Sequence, residues 1–362
     1  MNNCCISELE ALKSKINSAA DCGIITSDVN RRYFTGMKSS AGTLVVFPEK
    51  AYFIIDFRYI EKAQSLLNNN LSAEVVLQKN LFEQINTLIK KHCAKTIAIE
   101  SDKCSVSQLA EYKKKLNAQI ISDNSFSDLI NNLRIIKTKD QIDKIIEAQR
   151  IAEKGFEHIL DFIAVGRTER EIQLELDYFM LKNGAEALSF DTIALSGKNT
   201  SLPHGVPSEK RVEQGDFVLL DYGAVVDGYH SDMTRTVCVG QPTDEMKSVY
   251  NTVLKAQLAG LNAVKSGITG KELDKISRDI IEADGYGDYF GHSLGHGVGM
   301  EIHEAPTASP GSNENLAENS ILTVEPGIYI PDKFGVRIED FVVVKENGCQ
   351  NMTLAPKELI IL

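Results

Sequence analysis

At 362 residues, with 43% hydrophobic and 25% charged side chains, the chain is long enough for two domains and has the composition of an ordinary globular protein. Its net charge of −11, with no basic stripe to offset it, argues against a nucleic-acid or anionic-membrane partner, and no segment has the length and apolarity of a membrane span. The amino terminus lacks a basic and apolar leader pattern, and the seven cysteines are scattered without a C-x-x-C, so the chain reads as a cytoplasmic protein with reduced thiols.

The first part alternates short apolar runs with amphipathic stretches. Residues 23–25, 43–47, 51–55, 74–77 and 96–99 read as strands, and 6–20, 57–68, 80–92 and 105–117 carry helical spacing of Leu, Ile and Ala. Together they predict an α/β domain ending near Ile120-Ile121-Ser122-Asp123, followed by a connection over 124–138. Asn68-Asn69-Asn70 reads as a polar turn. His92 and His158 fall on predicted amphipathic helices, as surface residues. Neither a G-x-G-x-x-G nor a P-loop occurs, so nucleotide binding has no support.

Thr138 is a good N-cap with Gln141 completing a capping box, which predicts a long helix over 139–163, and a second runs from Thr168 to about Asn183. From Leu188 the pattern turns strand-rich, interrupted by helices near 243–265 and 270–284. Phe217-Val218-Leu219-Leu220-Asp221 reads as a buried strand, Asp227-Gly228 as a type I′ turn, and Tyr229 to Val239 as the return strand. That turn pairs Val226 with Tyr229 and sets Asp221 opposite Thr234. Asp221 and Asp232 then become diagonal neighbours on one face, roughly 7–8 Å apart at Cα. Solvent-facing aspartates are the bland alternative, weakened by the apolar strand that carries Asp221.

Ile321 to Glu325 and Gly335 to Glu339 predict a second hairpin around Pro331-Asp332-Lys333-Phe334; an odd-length loop sets Glu325 opposite Glu339, with Arg337 beside it. His204, His292, His296 and His303 sit in Leu202-Pro203-His204-Gly205, Gly291-His292-Ser293-Leu294-Gly295-His296-Gly297 and Glu301-Ile302-His303-Glu304. Glycines bracketing His292 and His296 suggest backbone packed close to something, while His230 is undecided. Asp221, Asp232, His296, Glu325 and Glu339 can be read together as ligands of a two-metal site. Without cations, four clustered carboxylates would repel one another and some would be driven protonated.

These segments resemble the creatinase/prolidase-type metallopeptidases of the pita-bread fold, close to Xaa-Pro aminopeptidases and Xaa-Pro dipeptidases. The resemblance covers nearly the whole chain, including Asn30-Arg31-Arg32-Tyr33-Phe34-Thr35-Gly36, Asp56-Phe57-Arg58-Tyr59, Leu133-Arg134-Ile135-Ile136-Lys137 and Phe190-Asp191-Thr192-Ile193-Ala194. It implies an α/β creatinase-like amino-terminal domain over 1–133 and an α+β pita-bread catalytic domain over 134–362. It further implies that Asp221 chelates one metal, that Asp232 and Glu339 bridge both, and that His296 and Glu325 hold the other. His204 and His303 match histidines that orient substrate and steady the transition state, and His292 and Arg337 match supporting residues that fix ligand orientation.

The expected reaction is metal-dependent hydrolysis of the bond between an N-terminal residue and proline, with a hydroxide bridging the metals as nucleophile and Glu325 shuttling the proton. Oxygen-rich coordination with one imidazole favours Mn²⁺, with Co²⁺ or Zn²⁺ as alternatives. Some dipeptidase relatives carry an arginine four residues after the histidine matching His303; Thr307 stands there, which tilts the expectation toward an aminopeptidase rather than a dipeptidase (prolidase). A methionine aminopeptidase, a creatine hydrolase and a non-catalytic peptide-binding scaffold rank lower, the last two because all five ligands are present. Proline-containing peptides are the expected substrates and a homodimer the expected assembly. Tyr222, Phe190 and Ile193 are candidates for the wall of the first-residue pocket.

Overall fold

Side chains next to the helix starts decide where the helices begin. In the computed structural model, which describes residues 4–67 and 73–362, Thr138, Thr168 and Thr269 each accept a hydrogen bond from the backbone N–H three residues on. Gln141, Glu171 and Glu272 reach back to the cap residue, closing three capping boxes. The chain divides into two units, Met1–Arg134 and Ile135–Leu362.

The first unit is an α/β layer. Strands β1 (Cys22–Ile25), β2 (Thr43–Val46), β3 (Ala51–Ile55), β4 (Glu74–Leu77), β5 (Thr96–Ile99) and β6 (Gln119–Ile121) form one sheet in the order β4-β3-β2-β1-β5-β6. The central strands β1, β2 and β3 are buried throughout, as their unbroken apolar runs require. Around the sheet lie α1 (Cys4–Lys15), α2 (Asp28–Thr35), α3 (Ile60–Leu67), α4 (Leu81–Lys91), α5 (Val106–Lys115) and α6 (Ser125–Ile135). The segment expected to be a connection is therefore helical: α6 buries Phe126, Ile130 and Arg134 along one face. His92 is not a surface residue either, since its ring stacks on Phe47 at 4.1 Å and its Nε2 meets the Tyr52 hydroxyl at 2.9 Å. The turn expected at Asn68-Asn69-Asn70 lies outside the described residues.

In the second unit, α7 (Lys139–Phe162) and α8 (Glu169–Lys182) precede β7 (Ala187–Leu188), β8 (Ile193–Ser196), β9 (Phe217–Tyr222), β10 (Ala224–Val226), β11 (Tyr229–His230) and β12 (Met233–Cys238). Helices α9 (Asp244–Ala263) and α10 (Gly270–Ala283) lead to β13 (Gly295–Gly297), β14 (Glu304–Ala308), β15 (Ile321–Val324), β16 (Gly327–Ile330), β17 (Phe334–Arg337), β18 (Asp340–Lys345) and β19 (Gly348–Asn351). His158, on α7, is half-exposed, stacking on Phe179 and meeting Glu175 at 2.7 Å.

Strand alternation then sorts the side chains. Val218, Leu220 and Tyr222 enter a core with α7 and α8 residues, so Leu219 and Asp221 face the other way. Leu322, Val324, Val336 and Ile338 enter a second core with α9 and α10, so Thr323, Glu325, Arg337 and Glu339 are turned away from it. An α/β amino-terminal unit is thus followed by an α+β unit in which the strands bury their apolar faces under helices and leave the polar ones free of both cores. Among the described residues no helix is long and apolar enough to cross a membrane, and Cys22, Cys93, Cys104, Cys238 and Cys349 form no disulfide.

Candidate metal centre

Two hairpins carry the acids. In the first, Asp227 (φ 49°) and Gly228 (φ 82°) make the left-handed pair a type I′ turn needs, Val226 faces Tyr229, and Thr234 faces Asp221, as the sequence predicts. In the second, Pro331-Asp332-Lys333 is a three-residue turn between paired Ile330 and Phe334. Gly327 pairs with Arg337 and Val324 with Asp340, so the register is continuous across the gap and places Glu325 opposite Glu339. The odd-length loop is real, but Pro326 interrupts the ladder and splits one long hairpin into β15/β18 and β16/β17.

His296 reaches the same place from β13, directly across from Thr307. Two of its flanking glycines sit against backbone: a Cβ at Gly295 would lie 1.9 Å from the Thr323 carbonyl oxygen, and one at Gly297 would lie 2.4 Å from that of Ala305. Gly291 differs, with nothing within 4 Å. The backbone N–H of His296 donates to Thr323 Oγ1 at 2.9 Å, and Glu325 N donates to the Leu294 carbonyl at 2.9 Å. His296 and Glu325 are thus tied to one another through β15.

Asp232, His296 and Glu339 offer ligand atoms that all lie within 4.8 Å of one another. His296 Nε2 is 3.6 Å from Asp232 and 3.3 Å from Glu325 Oε1. Its Nδ1 faces the Gly297 carbonyl at 3.0 Å, which assigns the proton there and leaves the Nε2 lone pair aimed at the acids. Burial lowers the His296 pKa and keeps the ring neutral. Asp221 stands at the edge of this group, bound through Oδ2 by Arg337 Nη2.

The donor set fits divalent cations. Asp221 Oδ1 and Glu339 Oε1 are buried without a hydrogen-bond partner, an arrangement that costs free energy unless a cation satisfies them. Burial, then the neighbouring acids, pushes the carboxyls of Asp232 and Glu339 far above the ordinary range, and burial brings Glu325 up to about 7. These directions describe carboxylates gathered without countercharge.

Behind the acids runs a directional relay. The His292 Nδ1–H donates to the Ser293 carbonyl at 2.8 Å, so Nε2 accepts from the Tyr329 hydroxyl at 2.9 Å. That hydroxyl accepts from Arg337 Nη1 at 2.7 Å, and Arg337 Nε donates to Thr234 Oγ1 at 3.0 Å. Thr234 in turn donates to Glu339 Oε2 at 2.7 Å, while Thr323 donates to Glu325 Oε1 at 3.0 Å. Burial, with the Arg337 charge adding to it, lowers His292 to about 4, so its ring is neutral at pH 7.

A cavity of about 810 Å³ opens over this group, lined among others by His204, His303, Phe190, Ile193 and Thr307. His204 and His303 are exposed at its rim, and the His303 ring stands edge-on to His296 at 4.4 Å. Tyr222 does not reach it: the ring is in the core and its hydroxyl bonds the Ala152 carbonyl at 3.2 Å. His230 faces Ser189 Oγ at 3.1 Å instead. Tyr329, Thr234 and Thr323 were not anticipated as functional. In the sequence Tyr329 is one aromatic in an apolar strand and the threonines are strand formers, so only the pairing partners reveal them.

Residues 143–346 match the family described as metallopeptidase family M24, and residues 9–136 match the creatinase/prolidase N-terminal domain. The chain is 41% identical to an Xaa-Pro dipeptidase of Pyrococcus furiosus over 95% of this chain and 96% of that one. Among solved structures it is similar to an Xaa-Pro dipeptidase from Bacillus anthracis (TM-score 0.94, 43% identity, 99% and 100% covered). It is also similar to an X-Pro aminopeptidase from Thermotoga maritima (TM-score 0.89, 36% identity, 97% and 100% covered).

Proposed function

The chain belongs to metallopeptidase family M24, and we propose that it removes an N-terminal residue preceding proline from short peptides, as an Xaa-Pro aminopeptidase. The observation that carries this reading is the convergence of Asp232, His296 and Glu339 within 4.8 Å, flanked by Asp221 and Glu325, beneath a cavity of peptide size. We assign these five as ligands of two divalent cations, with Mn²⁺ favoured by the oxygen-rich donor set and Co²⁺ or Zn²⁺ as alternatives. Bound there, the cations supply a Lewis acid for the scissile carbonyl and for the attacking water.

The protein's own groups do the rest. Glu325, whose Oε1 is fixed by the Thr323 hydroxyl at 3.0 Å, is placed to pass a proton to the departing nitrogen. His204 and His303, at the cavity rim, are placed to donate hydrogen bonds to the substrate carbonyl and steady its developing charge. Arg337 holds Asp221 directly, and His292 steadies Arg337 through the Tyr329 hydroxyl. A proline nitrogen carries no N–H, so the site must recognise the Xaa-Pro bond without that donor.

Thr307 supports action on peptides longer than two residues. It lines the cavity directly across from His296 and puts a neutral side chain where a cation would meet the carboxylate of a dipeptide. A second reading, dipeptidase action, is supported by the Pyrococcus furiosus and Bacillus anthracis proteins, both described as Xaa-Pro dipeptidases. Chelator-stripped protein assayed with Mn²⁺ on an Xaa-Pro dipeptide and an Xaa-Pro-Yaa tripeptide separates them. Release from the tripeptide establishes the aminopeptidase, and cleavage confined to the dipeptide overturns it. Metal content of protein purified without chelator tests the choice of Mn²⁺, and light scattering tests the homodimer expected from the family.

A further inference from the structure

The five proposed ligands belong to two blocks. Asp221 and Asp232 ride on the β9/β12 hairpin, while Glu325 and Glu339 ride on the β15/β18 hairpin, to which His296 is bonded through Thr323 and Leu294. The strands β12 and β18 belong to different sheets and share no ladder, so the seam between the blocks must be held by other means.

On the cavity side the stitches are Thr234 and Arg337, already described. On the opposite side stands Arg235, whose neighbours in β12 alternate with it. It is 1% exposed, and every one of its five N–H groups is used. Nη1 donates to the carbonyls of Thr234 (2.9 Å) and Glu339 (2.6 Å), one on each side of the seam. Nη2 donates to Asp340 Oδ1 (2.7 Å) and the Ala355 carbonyl (2.8 Å), and Nε to the Pro356 carbonyl (2.8 Å). Asp340 is fully buried and its other oxygen is held by Lys357 Nζ at 2.7 Å and Asn351 Nδ2 at 2.6 Å. Where the guanidinium bridges, the Glu339 N–H crosses the seam to the Thr234 carbonyl at 3.1 Å.

We propose that Arg235 is a positioning residue for the metal centre: its guanidinium, anchored by Asp340 and the 355–356 segment, holds the two ligand blocks in register before any metal binds. This rests on the ligand assignment above. Asp232 on one block and Glu325 and Glu339 on the other supply no attraction across the seam until a cation lies between them. A clamp that fixes their register spares the incoming cation the cost of closing the site. The planar fork matters as well as the charge, because one nitrogen must reach two carbonyls on different strands while another reaches a carboxylate.

The test compares the full-length parent with Arg235→Lys, which keeps the charge beside Asp340 but loses the fork. Mn²⁺ binding to chelator-stripped protein is measured by calorimetric titration, and exchange of the Glu339 amide is followed by mass spectrometry. The expected result is at least tenfold weaker Mn²⁺ binding in the variant, and a Glu339 amide that is protected in the metal-free parent and exposed in the variant. Equal affinity and stoichiometry in the two proteins, whatever the variant's melting temperature, overturns the clamp alone. A parent that binds none of Mn²⁺, Co²⁺ and Zn²⁺ in the same titration overturns the ligand assignment and the clamp with it. Should the variant not fold, the parent decides: a Glu339 amide that exchanges as freely as surface amides until metal is added means the seam is not held in advance.

Discussion

Replacing Tyr329 by phenylalanine removes one oxygen and nothing else from a buried relay. The ring keeps its volume, so no cavity opens. Two hydrogen bonds vanish: the O–H donated to His292 Nε2 at 2.9 Å and the N–H accepted from Arg337 at 2.7 Å. A neutral bond contributes about 1 kcal/mol and one to a charged group about 1.5–3 kcal/mol, so the metal-free variant should lose roughly 2.5–4 kcal/mol. Arg337 Nη1 would retain only the Pro203 carbonyl at 3.4 Å, too long to compensate. For a unit the size of Ile135–Leu362 that loss lowers the melting temperature by about 5–8 °C. The chain has no tryptophan, so far-UV circular dichroism is the suitable probe of melting and of urea unfolding. A shift below about 1 °C, with an unchanged urea midpoint, would refute the relay as a stabilising element.

The other predictions concern charge, pH and backbone space. Metal-free Asp232→Asn should be at least as stable as the metal-free parent, since it removes one of several repelling buried carboxylates. Added Mn²⁺ should raise the melting temperature of the parent and not of the variant, and a variant much less stable without metal would contradict this. His292 is neutral in the fold and titrates near 4, whereas its unfolded value is about 6.5; as pH falls through that window only the unfolded chain takes up the proton, so stability is lost. Urea unfolding at pH 7 and pH 4.5 should therefore show the parent losing roughly 2–3 kcal/mol more than His292→Asn, and parallel pH dependence would show that His292 is not the group responsible. Gly295→Ala places a Cβ 1.9 Å from the Thr323 carbonyl oxygen and should cost about 3 kcal/mol or more, while Gly291→Ala meets nothing within 4 Å and should melt within about 1 °C of the parent. Equal melting temperatures for the two variants would show that the β13–β15 approach is looser than described.

The hairpins were legible because their turns carry chemistry. Asp227-Gly228 specifies a type I′ turn, and a turn of known length sets the register of every residue on both strands. The second hairpin needed only the parity of its loop. Helix α2 was hidden because its buried face includes Asn30 and Arg31, so the apolar period that marks other helices is missing. Helix α6 did carry a signal, Phe126, Leu129, Ile130 and Leu133 at the i, i+3, i+4, i+7 spacing of a helix face, and the reading of 124–138 as a connection passed over it. Of the site, the acids and histidines stand out by type and by glycine neighbours. Tyr329 and Arg235 do not, because what distinguishes them is which carbonyls and nitrogens lie within 3 Å, a property of the folded chain.

The final residue of strand β12 is bridged by the last residues of the sequence: Cys238 N donates to the Ile360 carbonyl at 2.9 Å and Leu362 N to the Cys238 carbonyl at 2.8 Å. Ala355 and Pro356, which receive Arg235, belong to the same stretch. The four acids and the one imidazole of the candidate centre are therefore synthesised before the residues that brace them. A ribosome-bound chain halted after Glu339 would carry every proposed ligand and lack the brace, so that capture of a cation by the nascent protein would trail its translation.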